Sequence, residues 1–386
     1  MKMRRYSLLF FLTMFLIGTD TFLVSPLLPT LAQLYHVSTA ASGWLVSAYA
    51  IGYAGFALIS GPIADHFDRK KVMLWGLCAF ALATLGCGFA PNFQLMLVGR
   101  FLAGVSAAFI TPQVWASIPV IVDKGQIVKV MGYATAGLSV SQLVGIPIGS
   151  YLAAFSWHTP FWVIAAAAII LLVLLYRYLP TLTFSTETKT GFWATYASIG
   201  HQSNTWPYLA AYFIFQTGSF TVITFIATWF THSFGLTLTG VGTAMIAIGA
   251  GNLIGALFGN RLVTAIGLTK AFLIELIVLI AIYIILPMVH QFWLAECFLT
   301  LSFVLNGCLF PIFMTTLQST ATQARSTISS LSNAAMYFGE TLAGIIGGWL
   351  FKTTPNYLGI AWFAALMIAI ALSLYARAGL FRTKQH

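Results

Sequence analysis

Long apolar runs alternate with short polar segments along almost the whole chain. A helix needs about 20 apolar residues to cross the hydrocarbon core of a bilayer, and each run has about this length. The pattern predicts twelve membrane-spanning helices, at about 8–31, 43–64, 72–90, 95–121, 130–154, 159–179, 206–231, 239–260, 268–288, 292–317, 326–350 and 357–377.

The longest polar stretch separates the first six runs from the second six. We therefore predict an N-terminal six-helix bundle over 1–180, a cytoplasmic central linker over 181–205 and a C-terminal six-helix bundle over 206–386. Two bundles related by an axis along the membrane normal are a common plan of secondary transporters. The predicted fold class is an all-α membrane protein with twelve transmembrane helices in two pseudo-symmetric bundles.

The composition indicates that lipid is the solvent of this chain. Only 7% of its residues are charged and 59% are hydrophobic, whereas a soluble domain carries about 25% charged residues. The net charge of +10 comes from scattered basic residues, so we expect no nucleic acid partner. The four cysteines lie singly inside apolar runs, and we expect neither a metal site nor a cofactor.

The basic residues also predict the orientation. Of the 18 Lys and Arg residues, all but Arg100 and Lys352 fall in segments on the side of the two termini. An excess of Lys and Arg marks cytoplasmic loops, so both termini are expected in the cytoplasm. The expected membrane is a bacterial plasma membrane. The loops on the opposite side are too short for an external domain, and no catalytic motif occurs, so we expect no enzyme.

The polar segment between the second and third runs carries a dense charge motif. It reads Gly61-Pro62-Ile63-Ala64-Asp65-His66-Phe67-Asp68-Arg69-Lys70-Lys71. This resembles the G-x-L-x-D-R-x-G-R-(R/K) signature loop of the major facilitator superfamily, with His and Asp replacing Arg and Gly at the sixth and eighth positions. The resemblance implies a conformational latch at Gly61, Asp65, Arg69 and Lys70. A solvated charged turn is the alternative.

The fourth run is similar to a second motif of that superfamily, R-x-x-Q-G-x-G-A-A. It reads Arg100-Phe101-Leu102-Ala103-Gly104-Val105-Ser106-Ala107-Ala108. An arginine inside a span is costly and is therefore a functional candidate. The alternative is that Arg100 extends its side chain to the nearby outer interface.

The fifth run resembles the G-x-x-x-G-P-x-x-G-G motif of the twelve-span drug:proton antiporter branch through Gly137 and Gly145, with Ser141-Gln142 where Gly-Pro is usual, and it ends Gly145-Ile146-Pro147-Ile148-Gly149. Its ending is closer to the bacterial sugar-efflux and chloramphenicol-efflux subgroup, and residues 18–29 of the first run resemble the same branch. Glycines permit close helix packing and a proline permits a bend, which predicts a hinge. Ordinary packing of small residues is the alternative.

These resemblances imply secondary active transport by alternating access. The leading function is proton-coupled efflux of small amphipathic compounds or drugs. A sugar exporter or a proton-coupled uptake symporter on the same fold is the alternative, and a non-transporting membrane receptor is the alternative of another class. We expect a monomer in the lipid bilayer, with a small-molecule substrate and protons as its partners.

Two acidic residues lie near the middle of their spans, about ten residues or more from either end: Asp20 and Glu340. A carboxylate near the bilayer centre with an arginine within reach is suited to exchange a proton, so Asp20 and Arg100 are predicted to form the proton-coupling pair. A structural hydrogen bond of Asp20 to another helix is the alternative.

Two further acidic residues lie inside apolar runs but closer to a span end. We expect Glu296 to be interfacial, and Glu275 to be structural with Lys270 or Arg261 as its partner.

Polar and aromatic residues recur at helical spacing in two spans, and a third span adds two more. They are Ser326, Ser330, Asn333, Tyr337 and Glu340 in the eleventh, Tyr212 and Gln216 in the seventh, and Gln113 and Trp115 in the fourth. Aromatic side chains with a few polar groups are what a site for varied apolar ligands needs. We predict that Asn333, Tyr337, Glu340 and these residues of the other two spans bind substrate, and that Glu340 attracts cations. Interhelical packing is the alternative.

Overall fold

The computed structural model describes residues 2–123, 126–181, 205–320 and 325–381, and these contain helices but no strand. The first six long helices match the first six predicted spans. They are α1 Lys2–Leu34, α2 Trp44–His66, α3 Arg69–Cys87, α4 Phe93–Ile121, α5 in three segments (Ile127–Val140, Ser141–Gly145 and Ile146–Phe155) and α6 Thr159–Tyr178. A single helical turn, Thr39–Ser42, precedes α2.

The second set of six long helices matches the remaining predicted spans. They are α7 Thr205–Phe234, α8 Leu238–Ile266, α9 Leu268–Ile285, α10 Phe292–Ser319, α11 Arg325–Thr353 and α12 Leu358–Arg377. Within the described residues, 11 helices are long and apolar enough to cross a membrane. The exception, α11, is 29 residues long and carries the predicted polar stripe, which lowers its hydropathy.

Helix contacts show that the two sets of six repeat one arrangement. In the N-terminal set, α1 packs on α5, α2 on α4 and α3 on α6. In the C-terminal set, α7 packs on α11, α8 on α10 and α9 on α12, which are the same pairs six helices later. The predicted all-α class with two pseudo-symmetric six-helix bundles is therefore confirmed. Nearly all of the predicted linker, 181–205, lies outside the described residues.

The two halves meet through pairs of helices that obey the same symmetry. Helix α2 packs on α11, α5 packs on α8, and α1 packs on α7. In α2 and α11 the Ser47 hydroxyl donates to the Thr341 carbonyl at 2.7 Å, and Gly43 faces Gly344 backbone to backbone. We call the end of the bundle that holds both termini the terminal end, and the opposite end the far end. The cross-half hydrogen bonds of the described residues lie at mid-depth or towards the far end.

Helix α5 is interrupted by one π-helical turn, Ser141–Gly145. The Ile146 N–H donates to the Ser141 carbonyl, five residues earlier, instead of the usual four. Pro147 follows directly, and its missing N–H removes the donor that an unbroken α-helix would use there. The predicted irregularity at Pro147 therefore takes the form of a wider turn that leaves Gln142 hydrogen-bonded to Asn252 of the opposite half.

Candidate functional site

A buried ion pair joins α1 to α4 at the middle of the N-terminal half. The Arg100 Nη1 atom donates to Asp20 Oδ2 at 2.8 Å, and Nη2 lies 3.4 Å from the Asp20 main-chain carbonyl oxygen. Both side chains are completely inaccessible to solvent. This burial excludes the alternative in which Arg100 extends to the interface. An ion pair removed from water is stable only with good geometry, and breaking it by removing one partner is costly.

One tyrosine, Tyr49, packs directly against the ion pair. The Arg100 guanidinium carbon lies 4.5 Å from the centre of the Tyr49 ring, and the Tyr49 hydroxyl lies 3.1 Å from the Thr21 hydroxyl. Tyr49 is fully buried and interacts electrostatically with both Asp20 and Arg100. The second carboxylate oxygen of Asp20, Oδ1, is buried without a hydrogen-bond partner among the described residues. Asp20 therefore keeps one oxygen available to accept a proton.

The C-terminal half contributes a second buried acid to the same region. Glu340 of α11 is 2% exposed and interacts electrostatically with Arg100, while its Oε2 atom has no hydrogen-bond partner in the described part of the chain. One turn earlier, Tyr337 stacks on Tyr53 of α2, with ring centroids 3.7 Å apart. Two carboxyl groups from opposite halves thus act on one guanidinium group, and a pair of stacked rings lies beside them.

The other predicted substrate residues occupy less central positions. The Gln216 amide donates to the Tyr212 hydroxyl at 3.1 Å, and Gln216 lies next to Gly339 of α11. Tyr212 itself packs edge-to-face on Phe313 of α10, inside the C-terminal half. The remaining three differ in burial: Gln113 is buried, and Trp115 and Asn333 are half-buried. The side chains of Ser326 and Ser330 lie outside the described part of the structure.

The loop motif sits at the terminal end between α2 and α3. Asp68 caps α3 by accepting a hydrogen bond from the Lys70 N–H at 2.8 Å. The Lys70 ammonium donates to the Tyr176 carbonyl at 2.8 Å, where the negative end of the α6 dipole favours a cation. Arg69 is the first residue of α3. The surroundings of Gly61 and the side chain of Asp65 lie outside the described part of the structure, so the predicted latch stays a prediction.

The glycine motif of α5 packs against α1, next to the ion pair. A Cβ atom added to Gly137, Gly145 or Gly149 would collide with Phe11, Thr19 or Leu23, respectively. Pro147 is buried at the start of the last segment of α5. The contacts show why side chains are absent there, and the predicted hinge remains a proposal.

The prediction that Glu275 pairs with Lys270 or Arg261 is wrong. Glu275 is 1% exposed, and both of its carboxylate oxygens lack a hydrogen-bond partner among the described residues. Lys270 lies five residues earlier on α9, about 140° around the helix, and is exposed. The Arg261 guanidinium lies over the Phe258 ring at 4.8 Å. Both cations therefore point away from Glu275, which lies close enough to Cys308 for an electrostatic interaction.

Sequence reasoning missed the two tyrosines of α2, Tyr49 and Tyr53. They are four residues apart and therefore lie on one face of the helix. This spacing was the signal by which the sequence could have identified them. Neither resembles a family motif, and aromatic residues are common throughout this chain.

The family model of the Major Facilitator Superfamily matches residues 10–343, which is most of the chain. The chain belongs to this superfamily. It is therefore a multi-pass membrane transporter, and the resemblance seen in the loop between α2 and α3 is confirmed at the level of the superfamily.

Known relatives and solved structures agree with this assignment. An uncharacterized MFS-type transporter of Bacillus subtilis (strain 168), YceJ, is 47% identical over 95% of this chain and 94% of its own length. Multidrug resistance protein 1 of the same organism is 28% identical over 91% and 90%. The fold is similar to that of a D-xylose-proton symporter, with a TM-score of 0.78, 15% identity and coverage of 97% and 98%. At such identity the likeness concerns the fold alone.

Proposed function

We propose that this transporter moves small amphipathic compounds out of the cell in exchange for external protons. The observation that carries the proposal is the buried Asp20–Arg100 pair, in which Asp20 Oδ1 has no hydrogen-bond partner in the described part of the chain. A charged group inside a membrane span is costly, and its retention is a sign of function. Asp20 is the proton-binding group, and Arg100 stabilises its ionised form.

Protonation of Asp20 has a consequence in the opposite half. A neutral Asp20 no longer balances the charge of Arg100, and Glu340 is the acid of the C-terminal half that already interacts with Arg100. The guanidinium then pairs more strongly with Glu340, which favours a different arrangement of the halves. In this way one proton changes the contact between the two bundles, as alternating access requires.

The substrate class follows from the groups beside this pair. Glu340 offers a negative charge, and Tyr337 and Tyr53 offer aromatic faces on which a cationic amphipathic compound can lie. Gln216, Asn333, Gln113 and Trp115 are proposed as the wider wall of the site. Similarity to a relative named Multidrug resistance protein 1, which is 28% identical, supports the proposal that the substrates are drugs or similar compounds.

The proposed setting is a bacterial plasma membrane, with the transporter as a monomer and both termini in the cytoplasm. The distribution of Lys and Arg supports this orientation, since those residues cluster on the side of the termini. In this orientation the far end of the bundle faces the outside of the cell, where protons are supplied.

Purified protein in sealed vesicles tests the proposal. An imposed proton gradient should drive a cationic dye against its concentration gradient, and dye movement should in turn carry protons the opposite way. The matched control is the Asp20→Asn variant in identical vesicles. Uphill movement of substrate in the same direction as protons would show a symporter, and movement of sugars but not dyes would show a sugar exporter.

The latch is proposed to act on the conformational switch and not on the substrate. Asp65→Asn should slow transport about ten-fold or more, because a carboxylate is lost from the end of α2, while substrate affinity stays within a few-fold. Stopped-flow transport and equilibrium dye binding measure the two quantities separately. A collapse of binding in Asp65→Asn would contradict the latch role, and Asp123→Asn, at an exposed position, is the matched control.

A further inference from the structure

A cleft of about 510 Å³ opens at the far end, where α1, the turn Thr39–Ser42 and α7 meet. Its wall combines apolar and polar side chains from both halves: Leu28, Pro29, Ala32, Gln33, His36, Val37, Thr39, Ser42, Thr228 and His232. The Thr228 side chain is 1% exposed, and its hydroxyl has no hydrogen-bond partner among the described residues. A buried hydroxyl left without a partner is costly unless something else binds it, which a water entering the cleft can do.

Below the cleft, hydroxyl groups continue towards the ion pair along the contact between α1 and α7. Ser25 lies one helical turn below Leu28 and Pro29, and its hydroxyl reaches the Ile223 and Thr224 carbonyls of α7, both at 2.8 Å. Thr21 lies one turn further down α1 and touches the Tyr49 hydroxyl at 3.1 Å. We call Thr228, Ser25, Thr21 and Tyr49 the hydroxyl seam.

The spacing of the hydroxyl seam suits water bridges. Ser25 and Thr21 are four residues apart on α1, a separation of about 5–6 Å that two hydrogen bonds of about 2.8 Å through one water can span. Thr228 lies four residues beyond Thr224, whose carbonyl accepts from Ser25. At the inner end, the centre of the Tyr49 ring lies 4.5 Å from the guanidinium carbon of Arg100, which binds Asp20 Oδ2, and Asp20 Oδ1 has no hydrogen-bond partner among the described residues. The hydroxyl seam therefore runs from the external cleft to the ion pair that contains the proposed proton acceptor.

We infer that external protons reach Asp20 from the far-end cleft along the hydroxyl seam of α1 and α7. This rests on the proposed proton exchange and adds its entry route. Each hydroxyl or bridging water accepts a proton on one side and releases its own on the other. The net change is one proton taken from external water and one O–H bond formed at Asp20 Oδ1, while Arg100 keeps its charge.

The titratable groups that face the route are few and are placed at its two ends. His36 and His232 line the cleft, and the cleft-lining residues include no Asp, Glu, Lys or Arg. Asp20, Tyr49 and Arg100 form the inner end, with Glu340 contributed by α11. Between the two ends the described residues of the hydroxyl seam carry hydroxyl groups only, so nothing there traps a proton permanently.

The test compares two transport modes in vesicles. Net efflux driven by a proton gradient needs proton entry, whereas exchange of labelled for unlabelled substrate needs the conformational change without net proton movement. We expect Ser25→Ala and Thr228→Val each to slow net efflux about five-fold or more, and their combination to slow it further. Exchange should stay within about two-fold of the wild type.

Two control variants separate a lost hydroxyl from altered packing. Thr228→Ser restores the hydroxyl and should recover net efflux. Thr84→Val removes another buried hydroxyl that has no partner among the described residues, on α3 and away from the hydroxyl seam, and should have no effect. Each variant also needs a wild-type melting temperature in detergent, and equilibrium dye binding checks that the substrate site is intact.

Three results would overturn the inference. An equal slowing of net efflux and exchange would show that the hydroxyl seam is a gate and not a proton route. Normal net efflux in the Ser25→Ala/Thr228→Val double variant would show that protons enter elsewhere. A wild-type protein that moves substrate without any proton coupling would remove the proposed function itself, and this is read before any variant is made.

Discussion

The N-terminal half holds an ion pair at mid-depth, whereas the C-terminal half holds an aromatic cluster towards its terminal end. In the first, Asp20 and Arg100 pair above the Tyr49 ring. In the second, Phe313 lies at the middle of a ring cluster, 4.4 Å from Phe215 and 5.1 Å from Phe272 between ring centroids. Both halves use the same helix pairs, so the arrangement of helices does not dictate the chemistry of the interior.

This difference predicts separate tasks for the halves. An ion pair in a low-dielectric region responds strongly to a single proton, because losing one charge leaves the other uncompensated. A ring cluster gains its stability from burial and edge contacts, which no proton changes. Proton coupling should therefore depend on the N-terminal half, and the C-terminal half should contribute rigidity and, through Glu340, a charge for the substrate.

The largest effect is expected from Asp20→Asn, which removes the proton-binding group and nearly preserves its shape. Gradient-driven transport should fall to the level of protein-free vesicles. In the wild type substrate binding should weaken as the pH falls, because protonation of Asp20 opposes substrate, and this dependence should disappear in the variant. Dye binding across pH measures it. Gradient-driven transport at the wild-type rate in Asp20→Asn would contradict the conclusion that proton coupling depends on the N-terminal half.

A nearly equal effect is expected from Arg100→Ala. Leaving one member of a buried pair alone costs about 3–5 kcal/mol, so Asp20 should stay protonated and substrate should release no proton from it. A pH indicator in weakly buffered detergent solution measures that release. Arg100→Lys should recover only part of it, since one ammonium group cannot replace a guanidinium that contacts two Asp20 oxygens. Full recovery would mean that charge alone matters.

A smaller and selective effect is expected from Glu340→Gln. Loss of the charge should weaken binding of cationic compounds by about 1–3 kcal/mol and leave neutral compounds of the same shape nearly unaffected. Calorimetry with one cationic and one neutral analogue makes the comparison. Equal losses for both would give Glu340 a structural or proton-carrying role. No loss for either would mean that substrate binds away from the polar stripe of α11.

The smallest effect on transport is expected at Glu275, the buried acid of the C-terminal half that has no hydrogen-bond partner in the described structure. Glu275→Leu removes a buried polar group that lacks compensation, so it should stabilise the protein by about 1–3 kcal/mol and leave transport within two-fold. Thermal unfolding in detergent and vesicle transport measure the two. A loss of proton coupling in Glu275→Leu would show that the C-terminal half binds a proton as well.

Much of the fold could be predicted from the sequence, because membrane insertion depends on local properties. The length of each apolar run sets the number of spans, and every predicted span coincides with a helix. The polar stripe of α11 and the break at Pro147 were also visible, since helical spacing and a missing N–H act within a few residues. The mid-membrane positions of Asp20, Arg100 and Glu340 follow from the same counting.

Contacts between helices could not be predicted from run length and helical spacing. The rotation and depth of each helix decide that Arg100 meets Asp20, 80 residues away, and that Tyr337 stacks on Tyr53 across the two halves. The same factors turn Glu275 away from Lys270 and Arg261, although all three stand close in sequence to one helix connection.

The sequence by itself therefore determined the membrane setting, the number of spans, the superfamily and the residues that are expensive to bury. Only the tertiary structure decided which of those residues meet, that one Asp20 oxygen has no hydrogen-bond partner among the described residues, and that hydroxyl groups of α1 and α7 line up below a cleft. The physical reason is the distance along the chain over which each effect acts. Hydropathy and helix periodicity act within about 20 residues, whereas pairing between helices depends on how twelve of them pack together.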